Sequence, residues 1–475
     1  MHGAGRAAFA GLGFEVAGTG KIAGTSQRRT GRGMRVVAFG RRPRGTAVRT
    51  PVGEIEQTPH PATPPRDVRP SRNDYLRELG PGLVSGAAGT DPTTVATLVV
   101  VGATTVYGLA WLTLLVLPCL AVVQVLATRV GFVSGRDLQQ AACDGYGRVV
   151  AGLLLLSILA VNVLTVAADL EAGAAALALL THVHWGWFVV PLAVLIVVLL
   201  FRNGYDEVER VLRYVLLCLL AYGVAVVLAR PHWTAVARGT LVPTLHLDRD
   251  HVAGALALLG TTVTTYMYLW QTVEQVEQPA VRWRVKLRQF DAIAGTALAA
   301  AVFWAILVAS GATLGLQHKR ADTATEAAAA LRPVAGPLAS VLFAVALLAS
   351  ALIALPVIVA SAAYAMSAFF QWPRGLSRRV AEAPAFYATI AAATAAGLAL
   401  AAFVNNPIHL LFTASVVAGL ATPVGLVLLV LVAGNRRLLR HDRPSRWLLA
   451  GGWAVAALLT LLSLLYLAQK LHLAP

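Results

Sequence analysis

Charge is what this sequence is short of. Of 475 residues only 13% are charged and 57% are apolar, whereas a soluble protein of this size carries about a quarter charged residues. That balance excludes a water-soluble fold. The alternating polar and apolar strands of a closed membrane barrel are also missing, which leaves the α-helix as the way to satisfy the backbone in lipid. Cysteine is scarce: Cys119, Cys143 and Cys218 fit neither a disulfide nor a metal-ligand spacing, and two of them fall in apolar runs. They read as packing residues. The first 74 residues lack both a sustained period and an apolar run of signal-peptide length. Stretches such as "SQRRTGRGMRVVAFGRRPRG" give this segment the composition of a disordered tail. The expected division is a basic cytoplasmic tail over 1–74 and a transmembrane domain over 75–475.

What is present is a series of long apolar windows. Stretches of about 20 residues, the length that crosses a bilayer as helix, fall near 80–103, 108–128, 148–180, 185–201, 211–229, 252–275, 291–316, 334–370, 384–404, 408–433 and 447–469. These make eleven spans of an all-α, multi-pass membrane protein, with membrane lipid as its surroundings. The formal net charge of +16 does not point to nucleic acid, because its placement has a simpler cause. With the N-terminus inside, 32 of the 39 Lys and Arg lie on the cytoplasmic side and 7 outside. That asymmetry is the positive-inside rule, so the expected location is the plasma (cell inner) membrane, N-terminus cytoplasmic and C-terminus outside.

Two of the spans are interrupted. The first contains "SGAAGTDPTT", in which Gly86 and Gly89 weaken a helix and Pro92 removes an amide donor. The sixth contains "LLGTTVTTYMYLWQTVEQ", where Gly260 precedes four threonines in five positions and no proline follows. Five spans separate the breaks, so the second copy enters from the opposite side, the pattern of an inverted repeat whose discontinuous helices meet at mid-membrane. Asp-Pro is also a common turn dipeptide in soluble loops. Here Asp91 sits inside an apolar run, where unwound backbone is tolerated only if it lines a cavity and where a carboxylate is by default a functional residue.

The groups flanking the breaks are oxygen donors. Asp91, Thr94, Thr261, Thr264 and Gln271 form the candidate metal set, with Thr93, Thr262 and Thr265 beside them. Carboxylate, hydroxyl and carbonyl oxygens suit hard cations such as Mg²⁺, Ca²⁺ or Mn²⁺, although each threonine hydroxyl can instead bond its own helix turn. Further acids follow in "VAADLEAG" (Asp169, Glu171) and in Glu274, a candidate ion or proton path. Asp169 and Glu171 are two residues apart on a helix and point differently, so only one readily faces Asp91. The pair His182 and His184 in "THVHWG" reads as a solvated loop rather than a metal site.

Three stretches carry a family resemblance: "LGPGLVSGAAGTDPTTVATLVVVGATTVYGLAW", "TRVGFVSGRDL" after the second span, and "NNPIHLL" before the tenth. With them the chain resembles the Nramp family of divalent metal transporters over essentially 75–470. The resemblance implies a LeuT-type 5+5 inverted repeat, with a metal site between interrupted helices 1 and 6. It also exposes departures. The family's Asp-Pro-Gly-Asn is here Asp91, Pro92, Thr93 and Thr94, and its Met-Pro-His is Thr264, Thr265 and Tyr266. Asp169 matches a family acidic position, whereas Ala172 stands where a glutamate is expected. The string "TTYMYLWQTVEQVE" is similar to an Nramp-related branch that includes magnesium transporters.

The function implied is a secondary transporter moving divalent cations by alternating access around Asp91, with the cation as substrate and no cofactor. Loss of a thioether removes the group that favours softer metals, and small threonines leave room for the water that Mg²⁺ retains. Mg²⁺ is therefore the expected cargo, with Mn²⁺ beside it. The alternative is a proton-coupled Mn²⁺/Fe²⁺ importer of the ordinary family type. An enzyme is not expected: an intramembrane aspartyl protease would need Asp91 and Asp169 as a shared-proton dyad, and Asp91 follows Ala88-Gly89-Thr90 rather than the Gly-x-Gly of such enzymes. An amino-acid carrier is disfavoured because Asp91 would repel a substrate carboxylate.

Overall fold

The structure, a computed structural model, describes residues 90–202, 221–244, 246–277, 282–319, 321, 324–328, 336–403, 406–439 and 443–471. The basic tail, the first half of the first span, the start of the fifth and Cys218 lie outside these residues. Everything described is helix, turn or loop. The helices are α1 (Pro92–Thr105), α2 (Ala110–Ser134), α3 (Leu138–Thr181), α4 (Gly186–Phe201), α5 (Ala221–Leu228), α6 (Trp233–Leu241), α7 (Arg249–Thr262) and α8 (Thr265–Glu277). They continue as α9 (Arg282–Thr313), α10 (Ala324–Ala328), α11 (Ala339–Phe370), α12 (Pro384–Ala401), α13 (Pro407–Gly434), α14 (Arg436–Leu439) and α15 (Arg446–Lys470). Taking α7 and α8 together, eight segments of the described residues are long and apolar enough to cross a membrane, with α1 and α4 as shorter apolar helices.

The helix ends follow from side-chain chemistry. Asp91, Asp137, Asp248, Asn406 and Ser445 each stand just before a helix and accept a backbone N–H three residues on, which satisfies one of the orphan donors of a first turn. Pro92, Pro384 and Pro407 open α1, α12 and α13, where the missing N–H costs nothing. Gly147 interrupts α3 at φ 84°, a conformation that carries no Cβ penalty for glycine. It separates the segment 138–146 from the long run that matches the third expected span. Capping also ties the ends of distant helices: Asp137, which caps α3, pairs with Arg374 at 2.7 Å, and Arg374 also donates to Gln140 at 2.7 Å. Burial lifts the Asp137 carboxyl above the usual carboxylate range, and the Arg374 guanidinium opposes that rise.

Packing then sets which helices meet. α3 lies mainly against α11 and α13, while α1 packs on α9, α7 and α13, and α8 packs on α2. Close crossings use glycine, as is usual where helices associate without a hydrophobic drive. A Cβ on Gly260 of α7 would run into the backbone of Gly419 and the Ser415 carbonyl of α13. This arrangement brings the start of α1 and the gap between α7 and α8 to one place.

Candidate functional site

Asp91 and Pro92 are a helix start, not a loop turn. Pro92 is the first residue of α1, and Asp91 Oδ1 accepts the Thr94 N–H at 2.7 Å. Asp91 is fully buried, and the positive end of α1 favours negative charge there. One carboxylate oxygen is thus occupied by capping. The other, Oδ2, accepts the Tyr266 hydroxyl at 2.8 Å.

Tyr266 comes from the second break. α7 ends at Thr262 and α8 starts at Thr265, leaving Val263 and Thr264 between them. The break therefore falls beyond Gly260, which lies within α7 and serves the α13 crossing instead. That crossing sets Thr261 beside α1: its hydroxyl is 2.9 Å from Thr93 Oγ1 and 3.0 Å from Thr94 Oγ1. Thr97 Oγ1 donates to Ser415 Oγ at 2.8 Å, one turn further along α1. Ser350 of α11 donates to the Thr90 carbonyl. The last turn of α7 adds carbonyls that lie outside the helical ladder. Buried oxygens without a hydrogen-bond partner among the described residues complete the picture, namely Thr264 Oγ1 and both carboxylate oxygens of Asp169.

The structure brings some of the sequence-derived residues together and keeps others apart. Asp91, Thr94 and Thr261 form one hydrogen-bonded group, and Thr264 stands in the break beside Tyr266. Asp169 lies within electrostatic reach of both Asp91 and Tyr266. Glu171 is fully buried, its oxygens unpartnered among the described residues, and two residues along a 3.6-residue turn place it on the opposite side of α3 from Asp169. Gln271 makes no hydrogen bond among the described residues, lying seven residues past Thr264 on α8. Glu274 is half-buried and accepts the Trp270 indole N–H at 3.0 Å. His182 and His184 are exposed, and His184 Nδ1 accepts the Gly186 N–H at 3.2 Å.

Sequence reasoning left several members out of the candidate metal set. Tyr266 entered only as a departure from a family motif, and Thr93 only as a neighbour. Thr97 had a signal, being one helical turn beyond Thr93. Ser350 and Ser415 had none, since each sits in an ordinary apolar helix. Among the described residues no group of three His, Cys, Asp or Glu is arranged around a metal-sized space. The arrangement is one of oxygens: two carboxylates, hydroxyls and carbonyls, a donor set that suits hard divalent cations.

Comparison with known proteins agrees with this architecture. The family model "Natural resistance-associated macrophage protein-like" (Nramp) matches residues 82–469. The divalent metal cation transporter MntH of Ralstonia nicotianae is 30% identical over 413 residues, covering 82% of this chain and 90% of the relative. The protein of the same name from Deinococcus radiodurans is 29% identical over 411 residues, covering 84% and 90%. Among solved structures, the manganese transporter of Eremococcus coleocola superposes with a TM-score of 0.68 at 20% identity, covering 85% of this chain and 89% of that one. Mhp1, a nucleobase-cation-symport-1 family transporter, gives 0.52 at 16% identity, covering 82% and 93%. These two likenesses carry the fold alone. The family match spans both helix breaks and nearly every described helix, and on that ground this chain is a member of the Nramp family.

Proposed function

We propose that this protein is a secondary transporter that carries divalent metal cations across the membrane by alternating access, with Asp91 as the charged ligand. The observation that carries the reading is the group of buried oxygens at the start of α1 and at the α7–α8 break: Asp91 capping α1, Thr93 and Thr94 meeting Thr261, and Asp169 and Thr264 without hydrogen-bond partners among the described residues. A buried polar atom left unpaired costs about 1–3 kcal/mol, and a divalent cation entering with part of its water would satisfy these atoms. Asp91 supplies charge, and the threonines supply neutral oxygen. Orientation follows from the basic loops, with the N-terminus cytoplasmic.

Mn²⁺ stands first as cargo. The magnesium preference expected from Thr264 finds no support among the relatives, whose names specify divalent metal cations and, for the solved structures, manganese. Mn²⁺ accepts carboxylate, carbonyl and water ligands as Mg²⁺ does, so it fits an all-oxygen site that lacks methionine. A protease reading is not carried: each Asp91 oxygen is held by a donor other than Asp169.

The test is uptake into proteoliposomes with a pH-sensitive dye in the lumen. Mn²⁺ should enter down its gradient, faster than Mg²⁺ at equal concentration. Tyr266 in place of histidine and Ala172 in place of glutamate lead to uptake without lumenal acidification; acidification in step with Mn²⁺ would assign proton coupling, with Asp169 and Glu171 as the acids to mutate. Absence of uptake for both ions would overturn the transporter reading.

A further inference from the structure

We infer that the Tyr266 hydroxyl is a built-in competitor for the cation at Asp91, and that its displacement releases a tie between α1 and α8. The inference rests on the reading of Asp91 as the charged ligand and adds a residue that controls it. Tyr266 is the second residue of α8 and is almost fully buried. Its hydroxyl spans the site to donate to Asp91 Oδ2 at 2.8 Å, while Oδ1 is held by the amide of Thr94 within α1. One oxygen of the carboxylate is therefore fixed to its own helix and the other to a helix 175 residues away.

The hydroxyl proton holds one lone pair of Oδ2. A cation approaching on that side competes with it for the same electrons, so cation binding there is favoured when the proton turns away. An acceptor is at hand: the side chain of Thr264, in the break itself, lies within reach of the Tyr266 hydroxyl, and its buried oxygen has no other hydrogen-bond partner among the described residues. The phenol oxygen remains neutral in either orientation. With the proton on Asp91, the start of α8 is tied to the start of α1. With the cation on Asp91 and the proton toward Thr264, that tie is gone and α8 is free to shift against α1. Tyr266 is thus a positioning residue, acting through Asp91.

A ligand role and a packing role give different signs in the same measurement. Mn²⁺ and Mg²⁺ binding to the purified full chain would be followed by calorimetry at fixed pH, and uptake by proteoliposome assay. Tyr266→Phe should tighten Mn²⁺ binding about ten-fold, because a hydrogen bond to a charged group favours the cation-free site by roughly that factor. KM and kcat should both fall, since the cation is held more tightly and leaves more slowly. Placing 4-fluorophenylalanine at 266 keeps the length of the side chain without a donatable proton, so it should act as Tyr266→Phe does even if the smaller variant folds poorly. Weaker binding in these variants would make the hydroxyl a ligand, and unchanged binding would make it a packing group; either result overturns the inference. Asp91→Ala keeps the two readings apart. If it abolishes binding while the 266 variants bind as wild type, the site stands and the inference falls. If Asp91→Ala binds Mn²⁺ as wild type does, the site reading itself has failed.

Discussion

The helix start at Asp91 and the break between α7 and α8 present buried oxygens at one place with different chemistry. The first is a charged start: Asp91 caps α1, and Pro92 occupies the one position where its missing N–H is harmless. The second has neither charge nor proline. It is two residues of non-helical backbone between Thr262 and Thr265, with Thr261 and Tyr266 on either side reaching across to α1. In the proposed site the first supplies the negative charge for a cation, and the second supplies neutral oxygens and ties α7 and α8 to the start of α1. A helix boundary can be set by local sequence, as at Asp91-Pro92, or by what its flanks can bond to elsewhere, as at Val263-Thr264.

The comparison is broken most severely by Asp91→Ala, which removes the charge from the first break and leaves the second intact. Mn²⁺ binding and uptake should both be lost while the protein still elutes as a folded particle; calorimetry and proteoliposome uptake check this. Uptake at the wild-type rate would show that the hydroxyl side binds unaided.

Next in size is Gly260→Ala, aimed at what places the second break beside the first. The new methyl would meet the Gly419 backbone and the Ser415 carbonyl, neither of which can rotate away. Overpacking of this kind costs about 1–3 kcal/mol, so a lower thermal midpoint is expected, with weaker Mn²⁺ binding as Thr261 is pushed off Thr93 and Thr94. A midpoint equal to wild type would show that α7 and α13 can part freely.

The smallest expected effect sharpens the comparison instead. Thr264→Met returns a thioether to the oxygen side, and sulfur ligands favour softer ions. Affinity for Cd²⁺ should rise about ten-fold, or roughly 1.4 kcal/mol, while Mg²⁺ transport falls. Thr264→Leu, of similar bulk, should show the loss without the gain. Equal Cd²⁺ affinity in the two variants would mean that volume and not sulfur decides at this position.

Much of this was legible in the chain. The scarcity of charge and the apolar windows marked the spans, and the long described helices fall within or around those windows, whereas the short α6, α10 and α14 lie between them. Asp91 and Pro92 marked a helix boundary by themselves. The second break was legible only in outline: Gly260 drew attention to the region, yet the glycine is helical and the break lies past it, because a glycine that is needed for close packing and one that ends a helix look the same in sequence. Gln271 and Glu274 illustrate the converse. Both are polar residues in an apolar helix, but their positions further along α8 give Glu274 to Trp270 and leave Gln271 without a hydrogen bond among the described residues.

By itself the sequence determined an all-helical membrane protein, where α1 begins, and an oxygen-rich pair of breaks poor in soft ligands. Those are local properties, set by composition, by capping and by the missing amide of proline. Only the tertiary structure decided that Thr261 meets Thr93 and Thr94 across 168 and 167 residues of chain, and that Tyr266 bonds Asp91. It also decided that Asp169, rather than Glu171, lies within electrostatic reach of Asp91. Spacing along a helix tells which residues share a face; which helix that face meets depends on crossings such as Gly260 against Gly419, where the fit of two distant backbones settles the register.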